Sequence, residues 1–308
     1  MKGIEISRAF YEQYGREMIE SEFAQYKERI AVGLVGHGSE CFGFDDEISR
    51  DHDFEPSFCI WLTEDDEREF GFKLFRAYQK LPKSFYGIEI KDTSLGGSGT
   101  KGVMTISDFY RRYTGRAGAP ESNLDWLYVP SHYLAEATNG EVFCDPLGEF
   151  TRIREEIKHG MPEDVRRKRI ASCAFYMAQT GQYNLSRCLS HSEIGAARLA
   201  LADFVKNAIE IVFLLNRTHM PYYKWAFRAM RELKIMGNGA DTLEDLINTD
   251  DLTDRAVIVG IERFCSQVIR ELVTQGLSLS SSDYLESHAY SINDSIKDGK
   301  LRNMNIIL

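Results

Sequence analysis

Apolar positions recur along the chain with two different periods, and the change from one to the other divides it. Between residues 5 and 29, Ile6, Phe10, Tyr14 and Met18 share one helical face, continued by Phe23 and Tyr26. Ala31 to Val35 then form an apolar run, broken by Gly33 and ended by Gly36. A second run, Phe58 to Leu62, continues an extended stretch that begins at Asp51-His52-Asp53-Phe54. Runs of this kind suit strands buried on both faces. Thr63-Glu64-Asp65-Asp66 supplies a cap and an acidic first turn for a helix that reaches about Leu81 and stops at Pro82. Short strands are predicted over 85–90, 102–106 and 141–143, with helices from Ser107-Asp108 to Tyr113 and over 131–137. The segment 93–101, containing Gly96-Gly97-Ser98-Gly99, reads as a linker or lid.

After Asp145-Pro146-Leu147-Gly148 every apolar pattern is helical, over about 162–180, 190–217, 221–235, 242–248, 254–275 and 283–300. The predicted fold class is therefore α+β. A mixed sheet with flanking helices occupies residues 1–148, and an all-α helical bundle occupies 149–308. A chain of 308 residues exceeds the usual size of one core, in keeping with two domains.

Charge narrows the partners. Lys and Arg number 37 against 47 Asp and Glu, a net charge of −10. Nucleic-acid binders displace counterions with a basic footprint, which this balance argues against. The six cysteines are scattered with no Cys-x-x-Cys pair, as in reduced cytosolic proteins. The N-terminus, with Lys2, Glu5 and Arg8 and no apolar stretch, is not expected to be a leader, and the best apolar helical run, Ala208 to Leu215, is short and holds Glu210. A cytoplasmic protein with no membrane attachment is expected. A homo-oligomer stays open.

The chemistry gathers between the two apolar runs. Gly38-Ser39 is followed, after an eleven-residue excursion, by Asp51-x-Asp53. Alternation along a strand puts both carboxylates on one face. They repel unless a cation lies between them, and hard divalent ions prefer carboxylate oxygen. Read from the residues alone, the same features could be a surface turn and two solvated acids. The pattern Gly-Ser, spacer, Asp-x-Asp resembles the signature of the nucleotidyltransferase superfamily, with its polymerase-β-like fold. That resemblance implies that Gly38 and Ser39 hold the triphosphate of a nucleotide. Asp51 and Asp53 would bind Mg2+ (or Mn2+), with Ser49 as the small hydroxyl residue before them. A third acid is common in such proteins, and Glu89, between Ile88 and Ile90, is the candidate. At the following strand the sequence reads Gly102-Val103-Met104-Thr105, without an acid, and Pro56 bends the chain at Glu55. The implied activity is magnesium-dependent transfer of a nucleoside monophosphate, AMP by expectation, from a nucleoside triphosphate. The acceptor would be a hydroxyl or amine of a small molecule or protein. The alternative is a nucleotide-binding regulator or interaction protein that keeps the fold without turnover.

In the helical half, Asp203, Lys206, Asn207 and Glu210 form one polar stripe on an apolar helix. It is either a solvated face with i,i+4 pairs or the wall of an acceptor cleft. Pro221-Tyr222-Tyr223-Lys224-Trp225 opens the next helix, where Tyr222 could face an acceptor and Lys224 a phosphate. The run Arg166-Arg167-Lys168-Arg169 is expected to be a solvated face, and Arg187-x-x-x-His191 a surface or capping feature. Asp125-Trp126-Leu127, Gly140-Glu141-Val142-Phe143 and Pro221 to Trp225 together resemble bacterial proteins. Those proteins join a nucleotidyltransferase-like head to a helical domain of unknown function.

Overall fold

A computed structural model describes residues 1–46, 55–97 and 101–308. The fold is α+β, with a mixed four-stranded sheet and helices in the first part and a largely helical C-terminal region. The two apolar runs become β1 (Ala31–Leu34) and β2 (Cys59–Leu62), antiparallel neighbours with Val32 opposite Ile60. β2 is shorter than the apolar run, and Pro56, Ser57 and Phe58 precede it as buried irregular chain. β3 (Ser84–Phe85) and β4 (Ile88–Glu89) form a separate two-stranded hairpin. Its Tyr86-Gly87 turn has φ of 49° and 77°, the left-handed pair that matches strand twist in a tight hairpin. β5 (Gly102–Thr105) runs parallel to β2, and β6 (Glu141–Cys144) antiparallel to β1, giving the order β5-β2-β1-β6.

The strand alternation assigns the core. Phe58, Ile60 and Leu62 pack with Ile6, Phe10, Tyr11 and Leu74 in one cluster. Trp61 faces the other way, stacked on Phe150 with ring centroids 3.7 Å apart and edge-on to Phe109 at 5.4 Å. Both sides of β2 are thus dry, as its unbroken apolar run requires. Thr63 caps the following helix as predicted, its Oγ1 accepting from Asp66 N at 3.2 Å.

Three tyrosines are sealed into this sheet and its helices. Tyr78 donates to Phe58 O and Tyr110 to Phe150 O, each at 2.8 Å. Burial raises the hydroxyl pKa of Tyr78, Tyr110 and Tyr113 well above the ordinary value near 10. Above pH 10 the unfolded chain sheds protons that the folded chain keeps, so stability must fall as pH rises. The slope approaches about 1.4 kcal/mol per pH unit for each such tyrosine. Denaturant midpoints measured from pH 9 to 12 should drop steeply above 10, and Tyr110→Phe should make the drop shallower.

The chain divides into two compact units: residues 1–121 with 132–160, and residues 122–131 with 161–308. The sequence boundary at residue 148 therefore falls inside the first unit, whose helix Glu149–His159 supplies Phe150 to the face of Trp61. Segment 122–131 joins the helical unit through its helix Asn123–Tyr128, where Ser122 and Asp125 form a capping box.

The basic run corrects the expectation of a solvated face. Arg166, Lys168 and Arg169 are all buried on the helix Glu163–Met177. Each meets carbonyls at or just past the C-terminal end of a different helix. Arg166 Nη1 donates to Leu214 O at 3.1 Å, in the last turn of Ile194–Leu215. Lys168 Nζ donates to Met304 O, just past the end of Gly299–Asn303, and to the side-chain Oδ1 of Asn293 in the last turn of Leu285–Asp294, both at 2.9 Å. Arg169 Nη2 donates to Trp126 O and Leu127 O at 2.9 Å and also to Val129 O, closing Asn123–Tyr128. The last carbonyls of a helix lack partners within it and carry the negative end of its dipole. Three cations from one helix satisfy three such ends. Burial holds the Lys168 and Arg169 pKa values below their ordinary ones, the cost of keeping these charges out of water.

Among the described residues no helix is long and apolar enough to cross a membrane.

Candidate functional site

β1 ends at Leu34, and the chain turns through Gly36-His37-Gly38 into a short helix, Ser39–Phe42. Gly36 and Gly38 have φ of 133° and 119°, values that favour glycine. The turn is gripped from β6's side. Gly36 N donates to Asn139 Oδ1 at 2.9 Å, and Asn139 Nδ2 donates to Gly36 O at 2.7 Å. Gly140 N donates to Cys41 O at 2.8 Å. Arg154, a largely buried side chain, donates from Nη2 to Asn139 O and Gly140 O at 3.1 and 3.3 Å. Neither the Gly38 and Ser39 N–H groups nor the Ser39 hydroxyl bonds to any described residue.

Side chains with polar chemistry surround this turn. Glu40 folds back over it, with Oε1 and Oε2 2.5 and 2.6 Å from the place a Cβ on Gly38 would take. The Cys41 thiol is buried and pushed well up, first by desolvation and then by the charges of Glu40, Cys59 and Glu136. It is a poor nucleophile, since the thiolate is the reactive form. The Tyr113 hydroxyl is raised by burial and by Glu136, while a hydrogen bond with the His37 backbone pulls the other way.

Glu136 on the helix Ser131–Thr138 is half-buried and makes no hydrogen bond or ion pair with a described residue. Desolvation raises its carboxyl pKa. A carboxyl raised by folding is more stable protonated, so its penalty is absent below the ordinary carboxylate range and appears as pH rises through it. Glu136→Gln should raise the unfolding midpoint at pH 7 and leave it unchanged at pH 4. An equal change at both pH values would refute this assignment.

Of the residues singled out from the sequence, Ser49, Asp51 and Asp53 lie outside the described residues. Gly38 and Ser39 stand together on the turn. Glu55 is committed elsewhere: Lys101 Nζ lies 2.5 Å from its Oε2, Lys91 N donates to it at 3.1 Å, and Lys91 Nζ is 3.8 Å away. Glu89 is exposed on β4, in the hairpin rather than the four-stranded sheet. Asp203, Lys206, Asn207 and Glu210 lie on Ile194–Leu215 in the second unit, with Asp203 and Lys206 exposed and Asn207 Nδ2 bonded to Asp203 O at 2.8 Å. Tyr222 and Lys224 are exposed in the same unit, and the rings of Tyr222 and Tyr223 lie 4.4 Å apart. That unit also holds a hollow of about 590 Å3, with Asn123, Asp164, Arg167, Leu279 and Lys297 in its lining. No described group of three or more His, Cys, Asp or Glu side chains could hold a metal ion.

Sequence reasoning passed over Asn139, Arg154, Tyr113 and Glu136. Asn139-Gly140 reads as a turn dipeptide, but its partner lies 103 residues earlier, and no local pattern reports that distance.

The family model of a domain of unknown function, DUF4037, matches residues 126–226. A solved structure, that of a nucleotidyltransferase-like protein from Exiguobacterium sibiricum, is similar at 12% identity and a TM-score of 0.38, over 92% of this chain and 89% of that one. No curated protein matches the chain.

Proposed function

We propose that the chain is a nucleotidyltransferase. It would bind a nucleoside triphosphate at Gly38-Ser39 and pass its nucleoside monophosphate to a hydroxyl or amine, releasing pyrophosphate. The observation that carries this reading is the Gly36–Ser39 turn. It is fixed to its neighbour by Asn139, yet it leaves the N–H groups of Gly38 and Ser39 without a described protein partner. Undonated N–H groups in a tight turn suit an anion, and Asp51-x-Asp53 follows at the spacing of the motif. Magnesium on Asp51 and Asp53 would offset phosphate charge during in-line displacement. The turn itself would orient the phosphates, and the Ser39 hydroxyl would donate to one of their oxygens. The acceptor is a small molecule or a protein, in line with the acidic balance of the chain.

Glu40 supports a second reading. Its carboxylate covers Gly38, where a phosphate would approach, and like charges repel. A nucleotide-binding regulator without turnover would tolerate such a gate.

The two readings separate on covalent transfer. Each nucleoside triphosphate, labelled at the α-phosphate, is incubated with the protein, magnesium and a cell extract. Label joined to an acceptor by wild type but not by Asp51→Asn/Asp53→Asn supports the transferase. Binding without transfer in any extract favours the regulator.

A further inference from the structure

We infer that Asn139 is a positioning residue for phosphate binding at Gly38-Ser39, backed by Arg154; this rests on the nucleotide reading of that turn. Gly36 leaves β1 with a φ that no strand supplies, so its N–H and C=O fall outside the sheet ladder. Both would be costly to leave unpaired in a buried position, and the Asn139 side chain takes both, at 2.9 and 2.7 Å. An amide is the side chain with an acceptor and a donor side by side, which one peptide unit of an extended strand would otherwise provide. Asn139 thereby stands in for a missing strand residue and keeps the Gly36 polar groups away from the ligand.

The Asn139 backbone is fixed in turn. Arg154 Nη2 holds the Asn139 and Gly140 carbonyls, and Gly140 N reaches forward to Cys41 O in the short helix beyond the turn. The turn is thus held at both ends, at Gly36 and at Cys41, and Gly38 and Ser39 lie between the two anchors. Groups that need no rearrangement on binding lose less affinity to ordering. Asn139 touches no phosphate under this assignment. It acts through the place it gives Gly38 and Ser39.

The test pairs a structural readout with a binding one. Amide exchange is followed in peptides covering residues 35–42 and 59–62, and the dissociation constant of each nucleoside triphosphate is measured with magnesium. Wild type, Asn139→Ala, Asn139→Asp and Arg154→Met are compared well below their unfolding midpoints. Asn139→Ala should speed exchange over 35–42 with 59–62 unchanged, and should weaken triphosphate binding tenfold or more. Asn139→Asp keeps the acceptor and loses the donor, so it should retain slower exchange than the alanine variant. If Asn139→Ala fails to fold, Arg154→Met carries the test with a smaller loss, about threefold. Wild-type binding with unchanged affinity in the folded variants overturns the positioning role and leaves the nucleotide reading standing. No triphosphate binding by wild type overturns both.

Discussion

Arg169→Met should lower stability by about 3 kcal/mol or more. The guanidinium bonds to three carbonyls, of Trp126, Leu127 and Val129, in a buried site. The methionine fills a similar volume but donates nothing, and each carbonyl left unpaired in a dry place costs about 1–3 kcal/mol. Loss of the positive charge at that helix end adds to the cost. For a unit of this size the midpoint should fall by roughly 6–12 °C. Arg167→Met is the control two positions away in the same helix. Arg167 is only half-buried, bonded to Ser295 Oγ at 2.7 Å and to Glu163, and its loss should cost about 1 kcal/mol or less. Equal effects would mean that the buried cations do not hold the helix ends, and the account of the second unit would fail.

Gly140→Ala should be the most damaging small substitution in the first unit. Gly140 has φ of 60°, and a Cβ there would stand 2.0 Å from Leu34 O. That neighbour is backbone of β1, with no flexible end to swing aside. The alanine pays about 1–2 kcal/mol for its left-handed conformation, and the collision then forces β6 away from β1. A total of about 3 kcal/mol or more is expected. Gly148→Ala separates the two contributions, because Gly148 has φ of 70° with nothing within 4 Å of its Cβ position. It should cost only the conformational part, about 1 kcal/mol. Urea midpoints of the two variants decide the matter, and similar losses would remove the collision from the account. Gly140→Ala should also loosen the Gly36–Ser39 turn, since Gly140 N is bonded to Cys41 O.

The sequence showed most clearly the features that burial imposes locally. Ala31 to Val35 and Phe58 to Leu62 had to be inner strands, because an apolar run has no face to give to water. Thr63 announced a helix start through the acidic residues behind it, and its hydroxyl caps that helix. Arg166 to Arg169 were opaque for the opposite reason. A basic run looks the same whether it meets water or the ends of three helices, and those helix ends lie tens of residues or more away in sequence. The Asn139 grip on Gly36 was hidden likewise. Gly38 and Ser39 were visible as a pair, but not the residues that hold their turn in place.

The most direct measurement is thermal unfolding with each of the four nucleoside triphosphates, with and without magnesium, on wild type and Asp51→Asn/Asp53→Asn. A ligand bound only by the native state stabilises it by about 2.7 kcal/mol at a hundredfold excess over its dissociation constant. The account predicts a magnesium-dependent rise in midpoint for at least one triphosphate, lost in the double variant. No rise with any triphosphate would contradict it and leave the fold to another use.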